Sequence, residues 1–262
     1  MTQDLSPVDA AKYAAALRAA DYVESGMKVG LGTGSTAYWL VKHLGHQVRE
    51  EGLKIKGVPT SRRTADQAIE EGIEIVSLDE ARWLDVTIDG ADEFDKELNL
   101  IKGGGGALLH EKIVATASDR MVVITDPTKA VDSLGAFPLP IEVLGFGLST
   151  TRSLVEEMLN GLDVMGHTVR QRMTPEGPFV TDEGNFILDL HLGRIGNPRQ
   201  LALILNQIPG VVENGLFIDI CDVVIVGHGD GRVEVRDINS GEEEEWRVEL
   251  PDVDNVFTNL SE

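Results

Sequence analysis

Lys102-Gly103-Gly104-Gly105-Gly106-Ala107, followed closely by Glu111, has the plainest chemical content in this 262-residue chain. Four consecutive glycines are costly to order, so a purely structural role explains them poorly. They expose successive backbone N–H groups just ahead of a helix read over Leu108 to Ser118, an arrangement suited to a developing oxyanion. Lys102 adds a cation at the same edge. Glu111 falls little more than one turn into the helix, close enough to face the glycines. These pieces suit proton transfer beside a carbonyl. The carboxylate takes a carbon-bound proton and returns it to the neighbouring carbon, while the donors stabilise the enediolate between the two steps. Triosephosphate isomerase solves a similar problem with a glutamate and no metal. The competing reading makes Glu111 a solvated helix residue. His110, as its neighbour, points to a different helix face.

Two further stretches suit a phosphorylated or hydroxylated ligand. Gly32-Thr33-Gly34-Ser35-Thr36 lies between a strand and a helix, where glycines admit an anion and the helix N-terminus supplies free N–H groups. Its plain alternative is a tight turn with Ser35 or Thr36 as N-cap. Gly32-x-Gly34-x-x-Ala37 also fits a dinucleotide fingerprint. That reading needs a carboxylate at the end of the second strand, where the sequence has Val58-Pro59-Thr60-Ser61. No lysine follows the glycines as in a P-loop. Asp89-Gly90-Ala91-Asp92-Glu93 follows a strand and so lies at a carboxyl edge, where open α/β sheets bind ligands. Its acids could hold hydroxyls or move protons. A divalent metal shared with Asp95, or a solvated surface turn, are the alternatives, although calcium-loop spacing is absent.

The elements that must position these residues alternate. Helices are expected over Lys12–Glu24, 37–44, from a Thr60 or Ser61 cap to Glu71, and over Leu108–Ser118. Strands are expected over Met27–Leu31, Leu53–Val58, Ile73–Leu78, Leu84–Ile88 and Met121–Thr125. Such alternation implies right-handed βαβ crossovers. After Phe137-Pro138-Leu139-Pro140 the rhythm changes. A strand over Ile141–Leu144 precedes a helix capped by Ser149 or Thr150 and ending at Asn160-Gly161. A hairpin of Thr168–Met173 with Phe186–His191 follows, then a helix opened by Asn197-Pro198. Phe217–Ile220 and Val223–Val226 read as strands rejoining the first domain, and the acidic tail from Gly241 as a solvated extension. The expected fold class is therefore α/β, a doubly wound, mostly parallel, Rossmann-like sheet with a second, smaller α+β (ferredoxin-like) domain. Residues 1–134 and 212–262 make the first, catalytic domain, and residues 135–211 the second.

Composition narrows the partners. Twenty-three basic against 44 acidic residues give a net charge of −21. Such a surface repels phosphodiester backbones, so nucleic acid is not an expected partner. It suits either a highly soluble protein or one from a high-salt cytoplasm. Cys221 is the single cysteine, which rules out an intrachain disulfide, and its apolar neighbours predict burial. Neither a signal peptide nor an apolar run long enough for a membrane is read, so no membrane partner is expected and the location is cytoplasmic.

Taken together, Gly30 to Thr36, Asp89 to Glu93, Lys102 to Ala107 and Glu111-Lys112 resemble type A ribose-5-phosphate isomerases. Val58 to Ser61, Asp126 to Lys129, Phe137 to Pro140, Gly184 to Asp189 and Ile208 to Val212 match in the same order. The resemblance covers about Lys12 to Gly227. It implies interconversion of ribose 5-phosphate and ribulose 5-phosphate in the pentose phosphate pathway, with no cofactor and no metal, in homodimers or homotetramers with the small domain in the assembly. By position it implies Glu111 as the general base. Asp89 and Asp92, with Gly90 and Ala91, contact the sugar, Asp89 helping ring opening. Lys102, Gly103, Gly104 and Gly105 surround the reacting oxygens. Thr33, Gly34, Ser35 and Thr36 form a substrate loop, Lys129 reaches the substrate, and Lys12 falls near the phosphate. His110 stands where the family commonly shows arginine.

Overall fold

The structure is a computed structural model of the chain, and the residues it describes are 5–241 and 243–250. The chain runs α1 (Pro7–Ala20), β1 (Lys28–Leu31), α2 (Ser35–His46), β2 (Lys56–Pro59), α3 (Arg62–Glu70), β3 (Glu74–Ile75), α4 (Leu78–Ala81) and β4 (Val86–Gly90). Next come β5 (Glu93–Phe94), β6 (Leu100–Ile101), α5 (Leu108–Thr116), β7 (Met121–Thr125), β8 (Leu139–Val143), α6 (Leu148–Leu159) and β9 (Thr168–Gln171). The remainder is β10 (Met173–Thr174), β11 (Gly177–Pro178), β12 (Phe186–His191), α7 (Pro198–Leu205), β13 (Val211–Asn214), β14 (Leu216–Phe217), β15 (Val223–Gly227), β16 (Arg232–Asp237) and β17 (Glu243–Arg247). Contacts group the chain into two compact units. The first holds residues up to Gly90, Val114–Thr128 and those from Cys221 onward; the second holds Ala91–Ile113 and Lys129–Ile220.

The first unit is built on a sheet of order β17-β16-β15-β7-β4-β1-β2-β3. From β3 to β15 every neighbour pair is parallel, and β16 and β17 add antiparallel. The strands are apolar on both faces, as buried parallel strands must be: β7 and β15 are buried along their whole length. The order reverses between β1 and β4, so the loops after these two strands flank a topological switch point. Gly32–Gly34 make the loop after β1, Ser35 and Thr36 open α2, and Asp89 lies at the end of β4.

In the second unit β8, α6, β9, β12, α7 and β13 form an antiparallel sheet of order β13-β8-β12-β9. That is the β-α-β-β-α-β pattern of the ferredoxin-like class. Leu139, Ile141, Leu188 and Leu190 bury against Val155 and Leu159 of α6 and Leu201 and Leu205 of α7. A separate small sheet, β14-β6-β5, carries the glycine loop.

Several local expectations change. The first helix begins at Pro7, five residues early, because Ser6 accepts the Asp9 N–H as N-cap and Pro7 fills the first turn. Of Ile73–Leu78 only Glu74–Ile75 pairs, because Ser77 and Glu80 form a capping box that starts α4. The cap of α6 is Gly147 in the left-handed region, with no side-chain cap from Ser149 or Thr150. Leu216–Phe217 joins β6 in the second unit, while Val223–Gly227 does rejoin the large sheet beside β7. Residues 251–262 of the acidic tail lie outside the described residues, and the part before them is not simply solvated. Glu243–Arg247 pairs with β16 as the exposed edge strand, its Trp246 ring 4.4 Å from the Arg18 guanidinium.

Candidate active site

The glycine loop is placed by strands only two residues long. Glu93 pairs with Ile101 and Phe94 with Leu100, so the chain entering β5 runs beside the chain leaving β6. Asp92 N–H donates to the Ile101 carbonyl at 2.8 Å, and Lys102 N–H to the Gly215 carbonyl at 2.9 Å. This register brings Asp92 to the glycines: its Oδ2 accepts the Gly104 N–H at 2.7 Å. Gly104 and Gly105 are exposed, whereas Gly103 and Gly106 are buried. Gly106 has φ of +80°, and a Cβ there would meet the Phe179 ring at 2.3 Å, so no other residue fits.

Lys102 and Glu111 meet in this unit. Lys102 Nζ lies 3.4 Å from Glu111 Oε2, and their side chains are 3% and 5% exposed. The Glu111 N–H donates to the Ala107 carbonyl at 2.9 Å, fixing the residue in the first turn of α5. A buried carboxylate beside an ammonium and exposed backbone amides is equipped to accept a proton while nearby donors balance a negative charge. The adjacent side chains diverge. His110 Nε2 lies 2.8 Å from Glu183 Oε1, whereas Lys112 Nζ donates to Glu213 at 2.9 Å and to the Asn214 carbonyl at 2.6 Å. Burial pushes the Lys112 pKa down, and the Glu213 carboxylate opposes that shift. Asp95, the acid weighed as a metal partner, instead caps its own turn, accepting N–H bonds from Glu97 and Asn99.

In the first unit, Asp89 is fully buried at the end of β4. Its Oδ1 accepts the Gly90 N–H at 2.7 Å and the Thr33 N–H at 3.1 Å. Gly32 permits this approach, since a Cβ there would lie 2.2 Å from Asp89 Oδ1. Thr33 Oγ1 joins a hydroxyl cluster, 2.8 Å from Thr60 Oγ1 and 2.9 Å from Ser61 Oγ. Ser61 also accepts the Thr64 N–H as N-cap of α3. Gly34 is the N-cap of α2 and supplies no side-chain cap, so the plain reading of Ser35 or Thr36 as caps does not hold. Gly34 and Ser35 are exposed and Thr36 half-buried, leaving the first amides of α2 open to an anion. Lys129 ends the 3-10 turn after β7, half-buried.

The structure thus brings Lys102, Glu111, Asp92 and the glycines together in one unit, and Thr33 and Asp89 in the other. Arg172 was missed. It donates to Asp189 and to two glycine carbonyls of the loop, and no spacing in the sequence links positions 69 residues apart.

Comparisons with known proteins identify a family. The family described as "Ribose 5-phosphate isomerase A (phosphoriboisomerase A)" matches residues 56–231. Ribose-5-phosphate isomerase A of Ruegeria pomeroyi is 70% identical and that of Ruegeria sp. strain TM1040 is 69% identical, each over the full length of both chains. Among solved structures, a D-ribose-5-phosphate isomerase in complex with phospho-erythronic acid superposes with a TM-score of 0.79. It is 39% identical, and the match covers 93% of this chain and 100% of that one. The ribose 5-phosphate isomerase of Plasmodium falciparum gives a TM-score of 0.80 at 31% identity, covering 92% and 99%. By its sequence and by its fold, the chain belongs to the ribose-5-phosphate isomerase A family.

Proposed function

We propose that Glu111 is the base in the reaction of this family, the interconversion of D-ribose 5-phosphate and D-ribulose 5-phosphate. The observation that carries the reading is the buried Lys102–Glu111 pair at 3.4 Å, in the loop and helix that also present the exposed Gly105 amide, the Gly104 N–H being held by Asp92. In the open-chain aldose, Glu111 removes the proton from C2. The C2 electrons form the C1–C2 double bond, and the carbonyl electron pair moves to O1. Lys102 and the Gly105 amide stabilise the resulting enediolate. Glu111 returns its proton to C1, the O2 proton passes to O1, and the ketose results. No electron leaves the substrate, so the step balances without an oxidant.

The remaining roles follow the residue types. The open amides at Gly34, Ser35 and Thr36 suit the phosphate or hydroxyls of the substrate, and so does the Thr33 hydroxyl. Asp89, held by two N–H donors, assists ring opening, and Asp92 contacts the sugar through the carboxylate that also orders Gly104. Lys129 supplies a further cation for the substrate. The chain works as a homodimer or homotetramer in the cytoplasm, with residues 135–211 at the subunit contact. Exposed Leu144, Phe146 and Leu154 in that stretch support the contact.

The test follows ketose formation from ribose 5-phosphate in the presence of EDTA, with Glu111→Gln alongside. Turnover that persists in EDTA and falls at least about 10²-fold in the variant is expected, the lower end of what general acid–base catalysis contributes. Full activity in Glu111→Gln would sink the assignment of the base.

A further inference from the structure

We propose that Arg172 is a positioning residue that sets the direction of the glycine-loop amides, an inference resting on the oxyanion role given to that loop above. Arg172 lies just past β9, and its N–H donates to the Ile187 carbonyl of β12 at 2.9 Å. Its guanidinium forks in two directions. Nε and Nη2 both donate to the Asp189 carboxylate, the former at 3.0 Å. Nη1 donates to the carbonyls of Gly103 and Gly104, each at 2.9 Å. The arginine and aspartate side chains are 14% and 19% exposed, so the fork is partly withdrawn from water, with its Gly104 arm at the surface.

The consequence is geometric. No peptide in the described residues is cis. In a trans peptide the carbonyl and the following N–H point in opposite directions. Fixing the Gly103 and Gly104 carbonyls on Arg172 therefore turns the Gly104 and Gly105 N–H groups away from it. The Gly104 N–H is caught on that far side by Asp92. That leaves the Gly105 N–H as the donor for the enediolate. Without a restraint, two exposed glycines sample many backbone states, and this donor would have to be ordered during the reaction. Phe179 supports the clamp from the side. Its ring lies 5.7 Å from the Arg172 guanidinium and fills the space beside Gly106. Lysine cannot replace the fork, because it offers a point charge on a flexible stem rather than a planar array of donors.

The experiment compares the full-length parent, Glu111→Gln, Arg172→Lys and Arg172→Ala by steady-state kinetics and thermal unfolding. Arg172→Lys is expected to lose about 10- to 100-fold in kcat, somewhat less than deleting an oxyanion donor outright, with KM and the unfolding midpoint nearly unchanged. Guanidinium added to Arg172→Ala is expected to restore part of its kcat, which a packing defect would not allow. Parental kcat in Arg172→Lys, with Glu111→Gln inactive, overturns the positioning role and leaves the base assignment standing. A fall in midpoint and a rise in KM at constant kcat would reveal a structural strut and also overturn it. Full activity in Glu111→Gln would bring down both readings.

Discussion

At the residue scale, one contiguous stretch from Lys102 to Glu111 holds the candidate base, its ammonium partner and the glycine amides. The glycine run announces backbone donors, and Glu111 follows it at helical spacing. What sequence could not supply is the partner that arrives from far along the chain. Arg172 and Asp189 meet through strand pairing in β9 and β12, and neither lies in a local pattern with Gly103. Gly32 shows the reverse case. Its glycine character reads as an anion loop, yet its most direct task is to let the end of β1 lie against Asp89. Gly32→Ala would place a methyl 2.2 Å from Asp89 Oδ1 and 2.5 Å from the Asp89 Cα, so backbone as well as side chain must give way. Overpacking of this kind costs about 1–3 kcal/mol. Urea unfolding of Gly32→Ala should show a loss in that range together with reduced kcat/KM. An unchanged midpoint would mean that the ends of β1 and β4 separate freely.

At the element scale, long periodic segments were legible and very short ones were not. β7 stands at the expected Met121–Thr125, and the expected hairpin of Thr168–Met173 with Phe186–His191 forms, its first strand ending at Gln171. β5, β6 and β14 are two residues each, too short for any periodicity to mark them, yet they seat the glycine loop. The C-terminal edge strand was hidden by composition. Glu243–Arg247 exposes every residue and is held by pairing with β16 rather than by burial of its own. The last turns of α2 hold a titratable group with a consequence for stability. Burial pushes the His43 pKa below its ordinary 6.5; His46 adds to the shift, and the Glu51 and Asp21 carboxylates oppose it. The unfolded chain therefore binds this proton more readily than the folded one. Its contribution to stability is complete above about pH 6.5 and is lost as the pH falls through the depressed folded value. Urea midpoints measured from pH 8 down to 5 should decline more steeply for the parent than for His43→Gln. Parallel declines would remove His43 as a source of acid sensitivity.

At the scale of the whole molecule, charge is the dominant feature. A net charge of −21 makes the folded chain repel itself. The ion pairs that oppose this repulsion differ widely in exposure. Arg152–Glu156 and Arg199–Asp219 have side chains 40% or more exposed, so each contributes little and is screened by salt. Lys102–Glu111, by contrast, is almost fully buried and is screened far less. Raising salt from low values to about 1 M shortens the screening length from tens of ångströms to about 3 Å. That relieves the repulsion among surface carboxylates, while the pair at the site keeps most of its interaction. The urea midpoint should therefore rise with sodium chloride, and kcat should persist at molar salt because the charges acting on the enediolate are local and buried. A midpoint that falls instead would show that the exposed ion pairs outweigh the net repulsion. A kcat that falls while the midpoint holds would show that the Lys102–Glu111 pair is open to solvent during turnover.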